Sequence, residues 1–131
     1  MRESELLRAL CDALSGALGV EFIPETWRDG CFSVFLAGGR ENKRSYVDGS
    51  AIAELSLEVK ARSVMRSEAD RLRVIDILSS ISSLREISLG DGESAVLRCA
   101  GHLEKTKTYE NGSEEYTCPI VLRYFWRSAS S

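Results

Sequence analysis

The segment from Ala51 to Arg62, AIAELSLEVKAR, constrains the fold more than any other part of the chain. Leu55, Leu57, Val59 and Ala61 alternate with Ser56, Glu58, Lys60 and Arg62. Successive side chains of a strand point to opposite faces, so the pattern predicts a strand with one buried and one wet face. Strands of that kind belong to antiparallel sheets covered on one side. With 131 residues, 44% hydrophobic and 28% charged, the chain is long enough for one real core and fits a single domain, residues 1–131.

The flanking segments supply the cover and the neighbours. Ser4 to Leu18 predicts an amphipathic helix, with Leu6, Leu7, Leu10, Leu14 and Leu18 at three- and four-residue steps and Gly19 at the C-cap. Val20 to Ile23 is a short strand stopped by Pro24. Cys31 to Ala37 follows the Asp29-Gly30 turn signal as a second strand. Gly38 to Arg44, GGRENKR, reads as an exposed loop. A second helix is expected over 67–84, capped by Ser67 with Asp70 at N3. Its stripe is Leu72, Ile75, Leu78 and Ile81, extended by Ala69 and Leu84 and widened by Val74 and Ile77. The C-terminal part reads as one long hairpin, strands 95–109 and 116–126, turning at Asn111-Gly112. Tyr116, Cys118, Ile120, Leu122, Tyr124 and Trp126 share a face, with Arg123 and Arg127 opposite. Pro119 lacks an amide donor and favours an edge or a bulge. No internal repeat is visible. The expected class is α+β: one mostly antiparallel, mixed sheet with two helices packed on it.

Composition removes several functions. A net charge of -3 excludes a protein whose main work is wrapping DNA in a positive field. The single histidine excludes any site needing two from one chain. Cys11, Cys31, Cys99 and Cys118 form no CxxC pair and read as reduced, mainly core residues of an intracellular protein. The start, MRESELLRAL, is too charged to read as a signal peptide, and no run approaches the ~20 apolar residues of a membrane span.

Few residues suggest chemistry. His102 could serve as a general base for Cys99, but three residues apart on one strand they project to opposite faces. The expectation is a half-exposed strand histidine. Asp91-Gly92-Glu93 and Glu114-Glu115 lack EF-hand spacing and read as solvated turn residues. Gly38-Gly39 is not followed by the lysine of a phosphate loop. No catalytic residue, cofactor or metal is expected. An interaction protein is the better reading, with Arg40, Lys43 and Arg44 of the GGRENKR loop as contact candidates. Tyr109, Asn111, Glu114 and Glu115 around the polar tip ENGSEE complete the set.

The segment Lys43-Arg44-Ser45-Tyr46-Val47-Asp48-Gly49-Ser50 carries a family resemblance. A basic stretch with Tyr46, Asp48, Gly49 and Ser50, leading into an alternating strand, is similar to phage minor capsid proteins of prophage morphogenesis clusters. The later helix over 67–84, the run from Asn111 to Tyr116 and the apolar strand Ile120 to Tyr124 occur in the same order, as does the N-terminal helix. That family is similar to the tail terminator and tail-completion proteins of long-tailed phages, small α+β subunits that assemble as rings, commonly hexamers. The resemblance implies a subunit that binds itself, caps the tail tube protein and faces the head–tail connector protein. Genome DNA would pass through the lumen, and no membrane is involved. It also implies assembly in the bacterial cytoplasm and residence in the virion. Two alternatives stay open: a small cytosolic adaptor or immunity-type protein, and a hydrolase or transferase built on Cys99 or His102.

Overall fold

A computed structural model describes residues 3–26, 32–64, 67–90 and 93–126. Its centre is a pair of strands, β3 (Ala51–Val64) and β7 (Ser113–Trp126). They run antiparallel and pair along their whole length, from Ala51 opposite Trp126 to Val64 opposite Ser113. The alternation expected for Ala51 to Arg62 is the observed one. Leu55 faces Leu122, Leu57 faces Ile120 and Val59 faces Cys118, all on the inner side and all buried. Burying each aliphatic chain contributes about 1.5–3 kcal/mol.

The remaining elements attach to this pair. β2 (Phe32–Ser45) runs antiparallel along the free edge of β3, and the short β1 (Phe22–Pro24) lies parallel to β2. β5 (Glu93–Cys99) and β6 (Glu104–Thr108) share the far edge of β7, and β4 (Glu86–Gly90) closes the sheet beside β5. The order is β1-β2-β3-β7-β5-β4, with β6 against β7. α1 (Glu3–Leu18) buries Leu6, Leu10, Cys11 and Leu14 in the inner-face cluster. α2 (Glu68–Ser80) adds Val74 and Leu78, and a 3-10 turn over Ile81–Ser83 adds Ile81. The expected α+β class, with a mostly antiparallel sheet and two helices on one face, is thus the observed one.

Four details differ from the sequence reading. Gly38 to Arg44 is not a loop: β2 continues through it to Ser45, with register shifts between Leu36 and Arg40 and between Asn42 and Arg44. β1 covers only Phe32 to Val34, so the rest of β2 is a sheet edge. Charges and bulges are what an edge strand carries, and they imitate a loop in the sequence. Second, the run 95–109 is two strands, β5 and β6, and β4 precedes them. Pro119 explains the break. Ala100 N donates to Pro119 O at 2.9 Å, and the chain then leaves the ladder until Glu104 pairs with Thr117. A Cβ on Gly101 would lie 3.0 Å from Pro119 Cγ. Pro119 therefore sits in an interior strand, not at an edge, and its neighbour departs where it has no amide to offer.

Third, α2 turns differently. Ser67 caps it through Asp70 N as expected, but Leu72 is 51% exposed while Val74, Leu78 and Ile81 are buried. The α-helix ends at Ser80, not Leu84. The hydroxyls of Ser80, Ser82 and Ser83 donate back to the carbonyls of Asp76, Ser79 and Ser80, the bonding that tightens a last turn. Fourth, β7 begins at Ser113, three residues before the expected strand. Cys31, Asp29-Gly30, Asp91-Gly92 and Arg127 lie outside the described residues.

The two principal hairpins end in the same turn. Tyr46-Val47-Asp48-Gly49-Ser50 joins β2 to β3, and Tyr109-Glu110-Asn111-Gly112-Ser113 joins β6 to β7. In the first, Tyr46 N donates to Ser50 O and Gly49 N to Tyr46 O. In the second, Tyr109 N donates to Ser113 O and Gly112 N to Tyr109 O. Asp48 Oδ1 accepts from Ser50 N, and Asn111 Oδ1 from Ser113 N, both at 3.0 Å. Both glycines are left-handed, φ 88° and 86°. These are three-residue loops closed by a left-handed glycine. Because β3 and β7 pair with each other, the hairpins are related by an approximate two-fold, and their tips lie at opposite ends of the sheet. The likeness in sequence is confined to these turns.

The turn geometry separates two glycines that look alike in sequence. Gly112→Ala forces an L-residue into the left-handed region and should destabilise by about 1 kcal/mol. Gly38→Ala meets nothing within 4 Å and needs no such conformation, so its urea midpoint should match or exceed the wild type. Urea unfolding of both variants tests the assignment.

Candidate functional site

The helices cover one face of the sheet and leave the other open. At the end nearest the Tyr46–Ser50 turn, the open face is apolar and cationic together. The rings of Tyr46 and Phe125 lie 6.2 Å apart, each 43% exposed, and Ile52 pairs across the ladder with Phe125. Val96, 51% exposed, sits opposite Arg123. Strand periodicity puts these side chains outward: their strand neighbours Ala51, Ala53, Tyr124, Ala95 and Leu97 fill the core.

Glu54 organises the charges. Its carboxylate is nearly buried and accepts from Arg123 Nε at 3.1 Å, with Arg123 Nη2 at 3.0 Å. Arg98 Nη2 stands 3.6 Å away and Lys43 Nζ 3.8 Å. Lys43 also pairs with Glu41 at 2.9 Å. Several cations therefore converge on one carboxylate, while the outer parts of Arg98 and Arg123 remain in solvent. Aromatic rings beside half-exposed arginines, held by an internal anion, have the composition of a protein–protein hot spot.

Of the expected contact residues, Lys43 lies in this cluster. Arg40 sits half-buried on β2 opposite Leu55, and Arg44 is exposed opposite Ile52. Tyr46, Asp48, Gly49 and Ser50 form the adjoining tip. Ile52, Glu54, Val96, Arg98, Arg123 and Phe125 were not among the sequence candidates. The period-two pattern placed Arg123 opposite the core, but nothing in the sequence said which outward residues gather.

Tyr109, Asn111, Glu114 and Glu115 lie at the other end, and the two glutamates are not solvated turn residues. Both are buried in the first residues of β7. Glu114 points inward: Arg71 Nε donates to Oε1 and Nη2 to Oε2, each at 2.9 Å, and Tyr116 Oη donates to Oε1 at 2.9 Å. Arg71 also bonds Glu68, and Lys105 Nζ lies 3.9 Å from Glu114. Hydrogen bonds from Arg71 lead in pulling the Glu114 carboxyl down to about 2. Tyr116 and the charges of Arg71 and Lys105 act the same way, and burial opposes them. The same contacts raise the Arg71 guanidinium. Glu115 points outward and accepts from Tyr109 Oη at 3.0 Å and Thr106 Oγ1 at 2.9 Å. Lys107 Nζ and the Arg62 guanidinium lie 4.7 and 5.5 Å from the Tyr109 ring centroid. These residues fasten the tip; Asn111 alone of the four is exposed.

The β5–β6 break brings Cys99 and His102 to one small pocket of about 190 Å³, shared with Cys118, Leu78 and Gly101. The opposite-face expectation held only for a continuous strand, and the strand is not continuous. Burial first, then the neighbouring Cys99, push the Cys118 thiol up to about 12, so at neutral pH it is protonated and a poor nucleophile. Burial and then Asp12 do the same to Cys11, also to about 12. Among the described residues no group of three potential ligands could hold a metal ion. No described helix is long and apolar enough to cross a membrane.

The Glu114 contacts set an acid limb on stability. A depressed folded-state value means the carboxylate stabilises fully above its ordinary 4.5 and loses that effect as pH falls through about 2. Glu114→Gln should lower the urea midpoint at pH 7, and the gap to wild type should close between about pH 4.5 and 2. A gap independent of pH would show that packing, not charge, holds α2 to β7. The chain matches no family model and no curated protein.

Proposed function

We propose that the chain is a structural protein of a phage or prophage virion at the head–tail junction, a ring-forming tail terminator or tail-completion protein of the minor capsid class. It binds copies of itself, caps the tail tube and faces the head connector, and DNA crosses the ring's lumen. The reading assigns it no catalysis, no cofactor and no metal. It is made in the bacterial cytoplasm and ends in the virion.

The uncovered sheet face is the observation that carries this reading. A two-layer subunit that leaves Tyr46, Val96 and Phe125 exposed between Arg98 and Arg123 has a surface suited to being covered by protein. The segment that carries the family resemblance, Tyr46 to Ser50, is the hairpin tip bordering that face. Rings are built from head-to-tail contacts, in which two different patches of one subunit meet. This sheet offers different patches at its two ends: an open, aromatic–cationic end and an end fastened by Arg71, Glu114 and Glu115.

Electron microscopy of particles made after deleting the gene from its parent phage or prophage tests the reading. Overlong or ragged tails with unattached heads are the expected result. Normal-length tails beside full, unattached heads would assign the chain to joining instead. Infectious particles of ordinary shape would overturn the virion role, and a cytosolic adaptor using the same face would replace it.

A further inference from the structure

Val47 stands at the tip of the β2–β3 hairpin and is fully exposed, at 108% of its reference area. Turn chemistry does not require it: the equivalent position of the second hairpin is Glu110, as solvation of a tip favours. Tyr46 beside it is 43% exposed, and Lys43 and Arg44 flank it on the strand. The tip is thus an apolar knob on a basic stem.

A matching hollow lies elsewhere on the chain. Leu18 and Val20, where α1 runs toward β1, face Leu72 and Ile77 of α2 across an open groove of about 610 Å³. Leu72 is 51% exposed there, although Val74 and Leu78 of the same helix are buried. Asp76 and Arg73 lie on the rim. Glu21 beside Val20 and Asp70 on α2 are exposed as well, and Glu68 is paired with Arg71, so the described surroundings are net acidic; on the stem Glu41 pairs with Lys43, and Arg40 and Arg44 leave it net basic.

Knob and groove cannot meet within one subunit. The N-terminal turn of α2 is tied to Glu114 through Arg71, and Val20 leads into Phe22, whose partner Phe32 pairs with Ala61. Both landmarks put the groove at the Ala61–Val64 end of β3. The knob lies at its Ala51 end, about 45 Å away for fourteen residues of strand.

We infer that the Tyr46-Val47 tip of one copy seats in the Leu18–Val20–Leu72–Ile77 groove of the next, as the head-to-tail contact of the ring. The inference rests on the ring-forming reading and names its two patches. The contact is heterologous, so each subunit gives its knob to one neighbour and its groove to the other, and the contact repeats around the assembly.

Cross-linking and sedimentation of the full chain test it. A mixture of Val47→Cys and Leu72→Cys chains should give a disulfide-linked pair under mild oxidation, while neither variant alone and not the wild type should. Both positions are exposed, so folding should be unchanged by circular dichroism. Val47→Asp and Leu72→Asp should each weaken self-association about tenfold or more with unaltered Tm, as expected for loss of an apolar anchor. Preferential cross-linking of Val47→Cys with itself would overturn the inference, since it means a symmetric contact. So would full assembly of Val47→Asp while the wild type forms rings, which leaves the ring reading intact. A wild type that stays monomeric to about 1 mM, alone and with tail tubes, overturns the ring reading itself.

Discussion

The fourteen-residue ladder between β3 and β7 is the constraint on which every other part of the molecule depends. Its inner residues form the floor of the core, and its register is unbroken over all fourteen residues, whereas β2 pairs with β3 through two register shifts. Each of its edges then recruits one set of partners, β2 with β1 on one side and β5, β6 and β4 on the other. The helices follow from the ladder's alternation. Its odd-numbered residues on β3 and even-numbered residues on β7 form the continuous apolar surface, Ala51 to Ala61 and Tyr116 to Tyr124, and the helices pack on that face. The opposite face carries the ion pairs of Arg123 with Glu54 and Lys60 with Glu58, beside the exposed rings of Tyr46 and Phe125.

That arrangement was partly legible in the sequence. Period-two alternation is a strong signal when one face is wet, and Leu55 to Ala61 and Tyr116 to Tyr124 were placed correctly from it. The Asn111-Gly112 turn was equally direct, because few dipeptides tolerate its geometry. What failed had physical causes. Edge strands are written in glycines and charges, so the distal half of β2 looked like a loop. Pro119 announced an irregularity, but its effect falls on the neighbouring strand, and a single sequence does not say which strand that is. Leu72 has the spacing of a core residue and is exposed, because the face of α2 that packs is the one carrying Val74 and Leu78, on which Arg71 also reaches Glu114. Burial of Glu114 and Glu115 was illegible because the arginine that holds Glu114 comes from α2, forty-three residues away, and the threonine and Tyr109 that hold Glu115 come from the β6 arm. The cluster around Glu54 depends likewise on register across four strands.

The approximate two-fold sharpens the contrast between the two hairpins. They share a turn and a fourteen-residue second arm, and those arms pair with each other, so the differences at their tips are informative. At the β6–β7 tip, Tyr109 is bonded to Glu115 and flanked by Lys107 and Arg62, and the neighbouring Glu114 is held by Arg71. At the β2–β3 tip, Tyr46 leans on Phe125, an aromatic contact that is itself half in solvent, and the next residue is Val47. One tip is stabilised from within the subunit; the other presents apolar area to the outside. Equivalent backbone geometry has been kept at both, while side-chain chemistry has been divided between holding the subunit together and meeting something beyond it.

The long edge of β2 suggests a rival mode of assembly, addition of a strand from a neighbour, and its local chemistry opposes that mode. Glu25, left-handed at φ 50°, donates its amide to Val34 O and turns its carboxylate to accept from Leu36 N at 3.0 Å. The first outward amide beyond β1 is therefore already capped. Past it, the register shifts at Leu36–Arg40 and Asn42–Arg44 break the even spacing that an added strand must match. Lys43 points across the open face toward Glu54, which sets charge along the same edge. An edge so interrupted resists backbone pairing, whereas the tip it leads to exposes Tyr46 and Val47. Contacts made by side chains of the tip and of the open face are what this architecture leaves available.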